Sequence, residues 1–266
     1  MDHSATVDPT ARVHAGAVLG KGVRIGPFCV VERDVVLGEG TRLVSHCTVG
    51  PNTTLGKDNV VYPFAAVGGD PQDLLWRGEE TFLVCGDKNT FREGVTVNRG
   101  TPKGDGFTRL GSGNLIMANA HIAHDCLLGD GTILANNVLL AGHVVVEDRA
   151  ILNGAAGVHQ FTTIGKLAYV GGLSRIVQDV PPFMIVEGHP SEVRKVNIVG
   201  LQRHGYSEDA ITALKNAHRD LFRARRPRAD VLTELERHPE TPPEVAELCA
   251  FLRRIERGKF GRSRNV

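Results

Sequence analysis

The sequence predicts an all-β fold, a left-handed parallel β-helix of six-residue repeats, followed by a C-terminal α-helical domain. Three observations support this. An aliphatic residue recurs at every sixth position from Val7 to Val67 and again from Leu110 to Ile176. Aromatic residues make up only 5% of the 266-residue chain while glycine occurs 31 times, which suits coils of small and β-branched residues around a narrow interior. After Gly188 the apolar spacing becomes helical.

A six-residue repeat gives three strands to each coil of a triangular prism, so residues eighteen positions apart lie on neighbouring coils. Neighbouring coils are about 4.8 Å apart, the ordinary spacing of hydrogen-bonded strands. Two polar insertions interrupt the repeat, near residues 68–84 and 98–109, and we expect them to form loops outside the prism. We assign residues 1–190 to the β-helix and expect Pro181 and Pro182 to end it, because proline lacks the amide donor that a further coil needs.

Residues 191–266 are predicted to form a small helical domain. Ser207 is followed by two acidic residues, which is typical of a helix N-terminus. The domain has 16 Lys and Arg against 11 Asp and Glu, a net charge of +5, whereas the whole chain is at +1. This basic surface suits an acidic protein partner and equally suits a solvated helical face. The balanced total charge and the absence of aromatic residues among the arginines disfavour nucleic-acid binding.

The sequence shows no targeting or membrane segment. The stretch from Met1 to Thr6 has no basic region followed by an apolar run, and eighteen consecutive apolar residues occur nowhere. The five cysteines include no Cys-x-x-Cys pair, and Cys29, Cys47 and Cys126 occupy positions where six-residue repeats use a small residue. We therefore expect reduced, structural cysteines and a cytoplasmic protein.

Several histidines are predicted to meet at one edge of the prism. Eighteen positions after His124 comes Gly142, and eighteen further comes Gln160. His124, His143 and the His159-Gln160 pair should therefore cluster within about two coil spacings, roughly 10 Å. The alternative is that these are solvated surface histidines without a role.

The motifs around this edge resemble one enzyme family, the acyl-carrier-protein-dependent UDP-N-acetylglucosamine O-acyltransferases. The resemblance rests on His121-Ile-Ala-His124-Asp125, Ala141-Gly142-His143, Val158-His159-Gln160-Phe161 and Asp179-Val-Pro-Pro182. It implies transfer of a 3-hydroxyacyl chain from acyl carrier protein to the 3-hydroxyl of UDP-N-acetylglucosamine, the first step of lipid A biosynthesis. It also implies a homotrimer that needs no metal and no cofactor, since the acyl donor is carried on the phosphopantetheine of acyl carrier protein.

The resemblance assigns roles to individual residues. His124 matches the general base, for which histidine is suited because its unperturbed pKa is about 6.5. Asp125 would orient that ring, although adjacent strand residues point to opposite faces, and the Gly142 N–H would stabilise the thioester oxyanion. The resemblance also implies a set of substrate-binding residues, which would contact the sugar, the phosphates, the acyl chain, the nucleotide or the phosphopantetheine. They are Asp73, His121, His143, His159, Gln160, Gly172, Asn197 and Arg203. Glycine at position 172 leaves the acyl groove open, which favours a long chain such as 3-hydroxytetradecanoyl.

Three positions depart from the family pattern and leave a second acceptor open. Leu75 stands in place of a lysine, Asn98 in place of a histidine and Val199 in place of a glutamate. Arg77 is the nearest sequence candidate to replace the missing lysine. The alternative acceptor is a 3-amino UDP-sugar, acylated by the same mechanism.

Three other functions share features of this sequence. A gamma-type carbonic anhydrase would bind zinc through His121, His124 and His143, but the two insertions and the helical tail are surplus to hydrating a small gas. An N-acyltransferase of the same pathway generally carries a uridine-binding domain before its repeats, which here begin by Val7. A catalytically inactive homologue is disfavoured because the base His124 is present.

Overall fold

The computed structural model describes residues 4–264, which form short strands followed by four helices. Residues 1–3 and 265–266, at the ends of the two predicted domains, lie outside the described part. In chain order the strands are β1 (Thr6–Val7), β2 (Arg12–Val13), β3 (Val18–Leu19), β4 (Arg24–Ile25), β5 (Val30–Val31), β6 (Val36–Leu37), β7 (Arg42–Leu43), β8 (Thr48–Val49), β9 (Thr53–Leu55), β10 (Val60–Val61), β11 (Ala66–Gly69), β12 (Phe82–Cys85), β13 (Thr90–Phe91), β14 (Thr96–Asn98), β15 (Phe107–Leu110), β16 (Leu115–Ile116), β17 (His121–Ile122), β18 (Leu127–Leu128), β19 (Ile133–Leu134), β20 (Leu139–Leu140), β21 (Val145–Val146), β22 (Ile151–Leu152), β23 (Gly157–Val158), β24 (Thr163–Ile164), β25 (Tyr169–Val170), β26 (Arg175–Ile176), β27 (Met184–Glu187) and β28 (Glu192–Val196).

Three sheets form the faces of the prism, and successive strands visit them in turn. The first face runs β1-β4-β7-β10-β13-β16-β19-β22-β25-β27-β28, the second β2-β5-β8-β11-β14-β17-β20-β23-β26, and the third β3-β6-β9-β12-β15-β18-β21-β24. Except for the last pair, β27 with β28, all neighbours are parallel. This order confirms the predicted left-handed parallel β-helix.

The six-residue aliphatic repeat lines the interior of the prism, as predicted. Ile122, Leu140 and Val158 stack on successive coils of the second face and are 4% exposed or less. Val7, in the first coil, is 41% exposed, because only the coil after it covers its side chain. The five cysteines are free and buried, in agreement with structural positions.

Both insertions leave the prism at the edge that joins the second face to the third. The first insertion comprises residues 70–81, between β11 and β12, and the second comprises residues 99–106, between β14 and β15. They change the distance in sequence between stacked residues, since Val67 pairs with Val97 and Val97 with Ile122. The eighteen-residue spacing returns with Ile122 and Leu140, so it holds across the histidine-bearing coils.

The expectation that Pro181 and Pro182 end the coils is wrong. Val180 forms a parallel bridge with Ile164, and β27 pairs in parallel with β25. The two prolines lie between these segments, where the coil does not require their missing amide donors. Strand β28 then returns antiparallel to β27, so residues 192–196 extend the first face beyond residue 190.

Four helices follow: α1 (Ile198–Arg203), α2 (Glu208–Phe222), α3 (Arg228–Arg237) and α4 (Pro243–Arg257). Ser207 caps α2 as predicted, its side chain accepting a hydrogen bond from the Ala210 N–H. The helices bury a second apolar core against Phe183 and Met184 at the end of the β-helix. Among residues 4–264, no helix combines the length and apolarity needed to cross a bilayer.

Candidate active site

Three stacked corners bring the functional side chains together. Residues 123–126, 141–144 and 159–162 turn from the second face to the third, and we call them the histidine edge. Asp125, His143 and Phe161 have φ values of 60°, 62° and 63°, a left-handed conformation that is uncommon for residues other than glycine. Because they stand eighteen residues apart, these side chains leave the corner in register, and the rings of His143 and Phe161 stack with centroids 4.6 Å apart.

His124 and Asp125 form a hydrogen-bonded pair on the histidine edge. His124 Nδ1 lies 2.7 Å from Asp125 Oδ2. These two residues do not point to opposite faces as adjacent strand residues would, because β17 ends at Ile122 and Asp125 has a positive φ. With Nδ1–H donated to the carboxylate, His124 Nε2 is left as a proton acceptor.

The second insertion holds the Asp125 carboxylate in place. The Thr101 N–H donates to Asp125 Oδ1 at 2.8 Å, and the Thr101 hydroxyl donates to Oδ2 at 2.6 Å. Burial pushes the pKa of Asp125 upward, but hydrogen bonds from His124 and Thr101 outweigh it and bring this pKa below its ordinary value. Gly104 packs so closely that a Cβ there would lie 2.3 Å from Oδ1. The carboxylate is therefore ionised and fixed beside His124.

Gly142 provides the space in which the His124 ring lies. A Cβ at residue 142 would be 2.6 Å from His124 Cε1 and 2.8 Å from Nε2, so glycine alone permits this approach. Within residues 4–264 the Gly142 N–H has no protein acceptor. The arrangement leaves one unpaired N–H donor close to the free nitrogen of His124.

His143 completes the cluster and is electrostatically coupled to it. Its ring meets that of His124 edge-on, with centroids 5.3 Å apart, and its Nε2 lies 3.5 Å from Asp125 Oδ2. Burial lowers the pKa of His143, although the charge of Asp125 opposes this effect. His143 is therefore uncharged at neutral pH.

His121 and His159 line an apolar recess on the second-face side of the histidine edge. This recess has a volume of about 380 Å³, and its walls include Leu139, Val158 and Ile176. His121 Nδ1 lies 2.7 Å from the Thr96 hydroxyl, and burial lowers the pKa of His121. His159 Nδ1 lies 3.1 Å from the carbonyl of Gln160, and both of these residues are exposed.

Asp73 of the first insertion reaches the same region. Its carboxylate accepts hydrogen bonds from the Leu75 N–H and from Lys103 Nζ, each at 2.9 Å. The Leu75 N–H and then Lys103 lower the pKa of Asp73, and the charge of His124 contributes. Within residues 4–264 Asp73 forms its ion pair with Lys103 and not with Arg77. The cation beside Asp73 is Lys103, supplied by the other insertion.

Three predicted site residues lie outside the histidine cluster of a single chain. Gly172 lies on the edge joining the first face to the second, where a Cβ would meet the Gly154 carbonyl oxygen at 3.2 Å. Asn197 is buried and caps α1, accepting from the Gly200 N–H and donating to the Leu167 carbonyl. Arg203 is exposed in the last turn of α1.

Comparison with known proteins places the chain in a family. The acyl-acyl-carrier-protein–UDP-N-acetylglucosamine O-acyltransferase of Anaeromyxobacter dehalogenans is 46% identical over 252 residues, which cover 95% of this chain and 98% of that protein. The chain belongs to the UDP-N-acetylglucosamine O-acyltransferase family. The model for domain 2 of this family matches residues 179–260, and the bacterial transferase hexapeptide model matches residues 16–51 and 107–142.

Solved structures of UDP-N-acetylglucosamine acyltransferases share the fold. The Francisella novicida enzyme superimposes with a TM-score of 0.89 at 34% identity, covering 93% of this chain and 91% of that one. The Bacteroides fragilis enzyme superimposes with a TM-score of 0.90 at 35% identity, covering 93% and 97%.

Two positions that depart from the family pattern have different environments here. Asn98 is 5% exposed and donates from Nδ2 to the Asp70 carbonyl at 2.8 Å. Its Oδ1 is buried and lacks a hydrogen-bond partner within the described chain. Val199 on α1 is 57% exposed. Asn98 Oδ1 is therefore enclosed within the protein, one coil from the histidine edge.

The groups that hold Asp125 were not found from the sequence. Thr101 and Thr108 both bond Asp125, the first to its carboxylate and the second through a hydroxyl that accepts from the Asp125 N–H at 2.8 Å. They precede Asp125 by 24 and 17 residues, so the eighteen-residue spacing does not align them with it. The polar composition of the second insertion is a signal that it contributes to the site, but it does not say which residue points inward.

The zinc arrangement of a gamma-type carbonic anhydrase is not formed by the three histidines proposed for it. The group in residues 4–264 whose donor atoms lie close enough to hold a metal is His124, Asp125 and His143, with those atoms within 4.8 Å of one another. His121 is not part of it, because its Nδ1 bonds Thr96 on the second face. Family membership and this geometry both disfavour the anhydrase.

Proposed function

We propose that this protein transfers a 3-hydroxyacyl chain from acyl carrier protein to the 3-hydroxyl of UDP-N-acetylglucosamine, the reaction that opens lipid A biosynthesis. The single observation that carries the proposal is the His124-Asp125 pair with its free Nε2, placed beside the Gly142 N–H. The 46% identical Anaeromyxobacter relative, named for acyl carrier protein and UDP-N-acetylglucosamine, supports the choice of donor and acceptor.

His124 acts as the general base in this mechanism. A sugar hydroxyl is a weak nucleophile at neutral pH, so its proton passes to His124 Nε2 as its oxygen attacks the thioester carbon. The ionised Asp125, 2.7 Å from Nδ1, stabilises the imidazolium that forms. When the carbon–sulfur bond breaks, the departing thiolate takes the proton from Nε2 and the base is restored.

Gly142 stabilises the negative charge that develops on the thioester oxygen. Its N–H has no protein acceptor in the described chain, and an unused donor next to the base can meet the oxyanion. The apolar recess beside His121 and His159 suits part of the acyl chain, since its walls are mainly aliphatic. His143, uncharged at neutral pH, can donate or accept a hydrogen bond to the sugar.

A 3-amino UDP-sugar is the second candidate acceptor. Asn98, one coil from the histidine edge, replaces a histidine of the family pattern. The family lysine is absent at Leu75, and Lys103 takes the place beside Asp73.

We further propose a cytoplasmic homotrimer. Gly172 and Arg203 lie away from the histidine edge of their own chain, so substrate contacts by these two residues would come from a neighbouring subunit. Asn197, buried as the cap of α1, would support that surface from below. Closed cyclic symmetry then gives equivalent sites at each boundary. Co-expressing His124→Ala and Arg203→Ala subunits tests this: shared sites regain activity that neither variant has alone, and sites within one subunit do not.

The function is tested by identifying the product. The purified protein is incubated with 3-hydroxytetradecanoyl acyl carrier protein and either UDP-N-acetylglucosamine or its 3-amino analogue, followed by mass spectrometry. We expect an ester of UDP-N-acetylglucosamine. An amide of the amino sugar alone would replace the acceptor, and no product with either acceptor or with shorter 3-hydroxyacyl chains would contradict the proposed function.

A further inference from the structure

A second recess, of about 400 Å³, lies on the third-face side of the histidine edge. We call it the basic recess; it is lined by Val145, Glu147, Thr163, Arg254, Arg257, Ser263 and Arg264. It forms where residues 259–264, after α4, return to the β-helix. The Asp179 N–H donates to the Gly261 carbonyl at 2.8 Å, and the Ser263 N–H donates to Asp179 Oδ2 at 2.7 Å. These contacts place the carboxyl-terminal arginines against the coils.

Positive charge exceeds negative charge in the basic recess. Arg254 lies 3.6 Å from Glu147, the acidic residue of the lining. Arg257 and Arg264 form no ion pair with a carboxylate of residues 4–264. The neighbouring carboxylate of Asp179 already accepts hydrogen bonds from the Thr163 and Ser263 N–H groups. The Arg257 guanidinium and the N–H groups of Arg264 that are not bonded to the His143 carbonyl therefore remain available to an anion.

The basic recess adjoins the catalytic groups. Arg264 donates from Nη1 to the carbonyl oxygen of His143. The basic recess is lined by Val145 and Thr163 of the third face, whereas the apolar recess is lined by Leu139 of the second face. The histidine edge thus separates an apolar side from a cationic side, which complements a substrate that has one apolar and one anionic part.

We propose that the basic recess binds a phosphate ester of one of the two substrates. The inference rests on the proposed acyl transfer, in which both substrates carry such a group: the diphosphate of the sugar nucleotide and the phosphodiester of phosphopantetheine. Guanidinium groups bind phosphate oxygens through paired, charge-assisted hydrogen bonds. A volume of about 400 Å³ lies within the usual range of small-molecule sites, about 300–1,000 Å³.

Matched ligands measure the contribution of the phosphate without requiring catalysis. Calorimetric Kd values are compared for 4′-phosphopantetheine against pantetheine and for UDP against uridine. The proteins are wild type, Arg257→Gln, Arg264→Gln and the control Arg225→Gln, an exposed arginine between α2 and α3. A charge-assisted hydrogen bond predicts that wild type and the control bind one phosphorylated ligand about tenfold tighter than its partner. This preference falls at least threefold in each recess variant.

The outcomes identify the source of the phosphate. Loss of the phosphopantetheine preference assigns the basic recess to the donor, and loss of the UDP preference assigns it to the acceptor. Unchanged preferences in both recess variants overturn the proposal. Acyl transfer is assayed separately with the same proteins. If wild type is active and the recess variants keep the phosphate preference, the phosphate site is refuted and the acyl transfer stands. If wild type is inactive and the recess variants lose the preference, the acyl transfer is refuted and the phosphate site stands.

Discussion

Thr101 is the residue whose replacement tests the geometry of the base most sharply. Thr101→Val keeps the shape of the side chain and removes the hydroxyl that donates to Asp125 Oδ2 at 2.6 Å. The Thr101 N–H, 2.8 Å from Oδ1, remains. The carboxylate then keeps one of its two contacts to Thr101 and is held less firmly, so the His124 ring that it orients is held less firmly too.

The size of the effect follows from the bond that is lost. A hydrogen bond to a charged group contributes about 1.5–3 kcal/mol, and about 1.4 kcal/mol in the barrier is a tenfold change in rate. Because the backbone contact persists, we expect the lower end of this range, a fall in kcat of roughly tenfold. The KM values should change little, since Thr101 contacts the carboxylate and not the substrate in this mechanism.

Steady-state assays with Thr101→Val and Thr101→Ser separate orientation from general damage. Serine keeps the hydroxyl and should restore kcat to within about threefold of wild type, an allowance for lost methyl packing of less than 1 kcal/mol. Equal losses in valine and serine would show that packing matters and the hydroxyl does not. Full activity of the valine variant would refute the proposed role of Thr101 in holding Asp125.

Three further substitutions test the site and the fold. Gly142→Ala should lower kcat at least a hundredfold in the same assay, because the new Cβ would lie 2.6 Å from His124 Cε1 and must displace the base. Leu140→Ala should lower the free energy of unfolding in urea by about 2–5 kcal/mol, whereas Leu139→Ala, on the outer side of the same strand, should change it by less than about 1 kcal/mol. His121→Gln should reduce the loss of stability seen between pH 7.5 and pH 5.5. Burial lowers the pKa of His121 in the folded state, so below about pH 6.5 the unfolded chain binds more protons than the folded chain. The free energy of unfolding therefore decreases as the pH decreases, by at most about 1.4 kcal/mol per pH unit for one group.

Each of these predictions has its own control. In Gly16→Ala, at the same prism edge near the amino terminus, the new Cβ would lie 3.3 Å from the His14 ring and 4.0 Å from Asp34 Oδ1. This variant should keep full activity, and a loss that matches Gly142→Ala would point to general strain. Equal stability losses at positions 139 and 140 would contradict the inward and outward assignment of that strand. An unchanged pH slope in the His121 variant would show that His121 titrates as it does in the unfolded chain.

The fold was predictable because burial imposes the six-residue period directly on the sequence. Ile122 and Leu140 point inward and lack water, so the aliphatic repeat records their position. The end of the β-helix was predicted wrongly at Pro181 and Pro182. Proline disrupts a coil only at positions where a backbone N–H must donate a hydrogen bond. Which positions of a corner need that donor cannot be read from the six-residue period.

The site was predictable in part for the same reason. The eighteen-residue spacing brings Gly142 beside His124 because no insertion separates them. Thr101 and Lys103 belong to the second insertion, whose path is set by its own turns and hydrogen bonds, so their contacts with Asp125 and Asp73 do not follow a period. The orientation of Asp125 depends on its left-handed φ, which cannot be predicted from the presence of an aspartate in the sequence.

The most direct test is the rate of acyl transfer by His124→Ala compared with wild type, using 3-hydroxytetradecanoyl acyl carrier protein, UDP-N-acetylglucosamine and mass-spectrometric detection of the ester. A positioned general base contributes about 100- to 10,000-fold. We predict that wild type forms the ester and that kcat of the variant falls by that factor while its fold, measured by circular dichroism, is unchanged. A variant that keeps activity within about tenfold of wild type would lie outside the range expected for loss of a base and would contradict the mechanism.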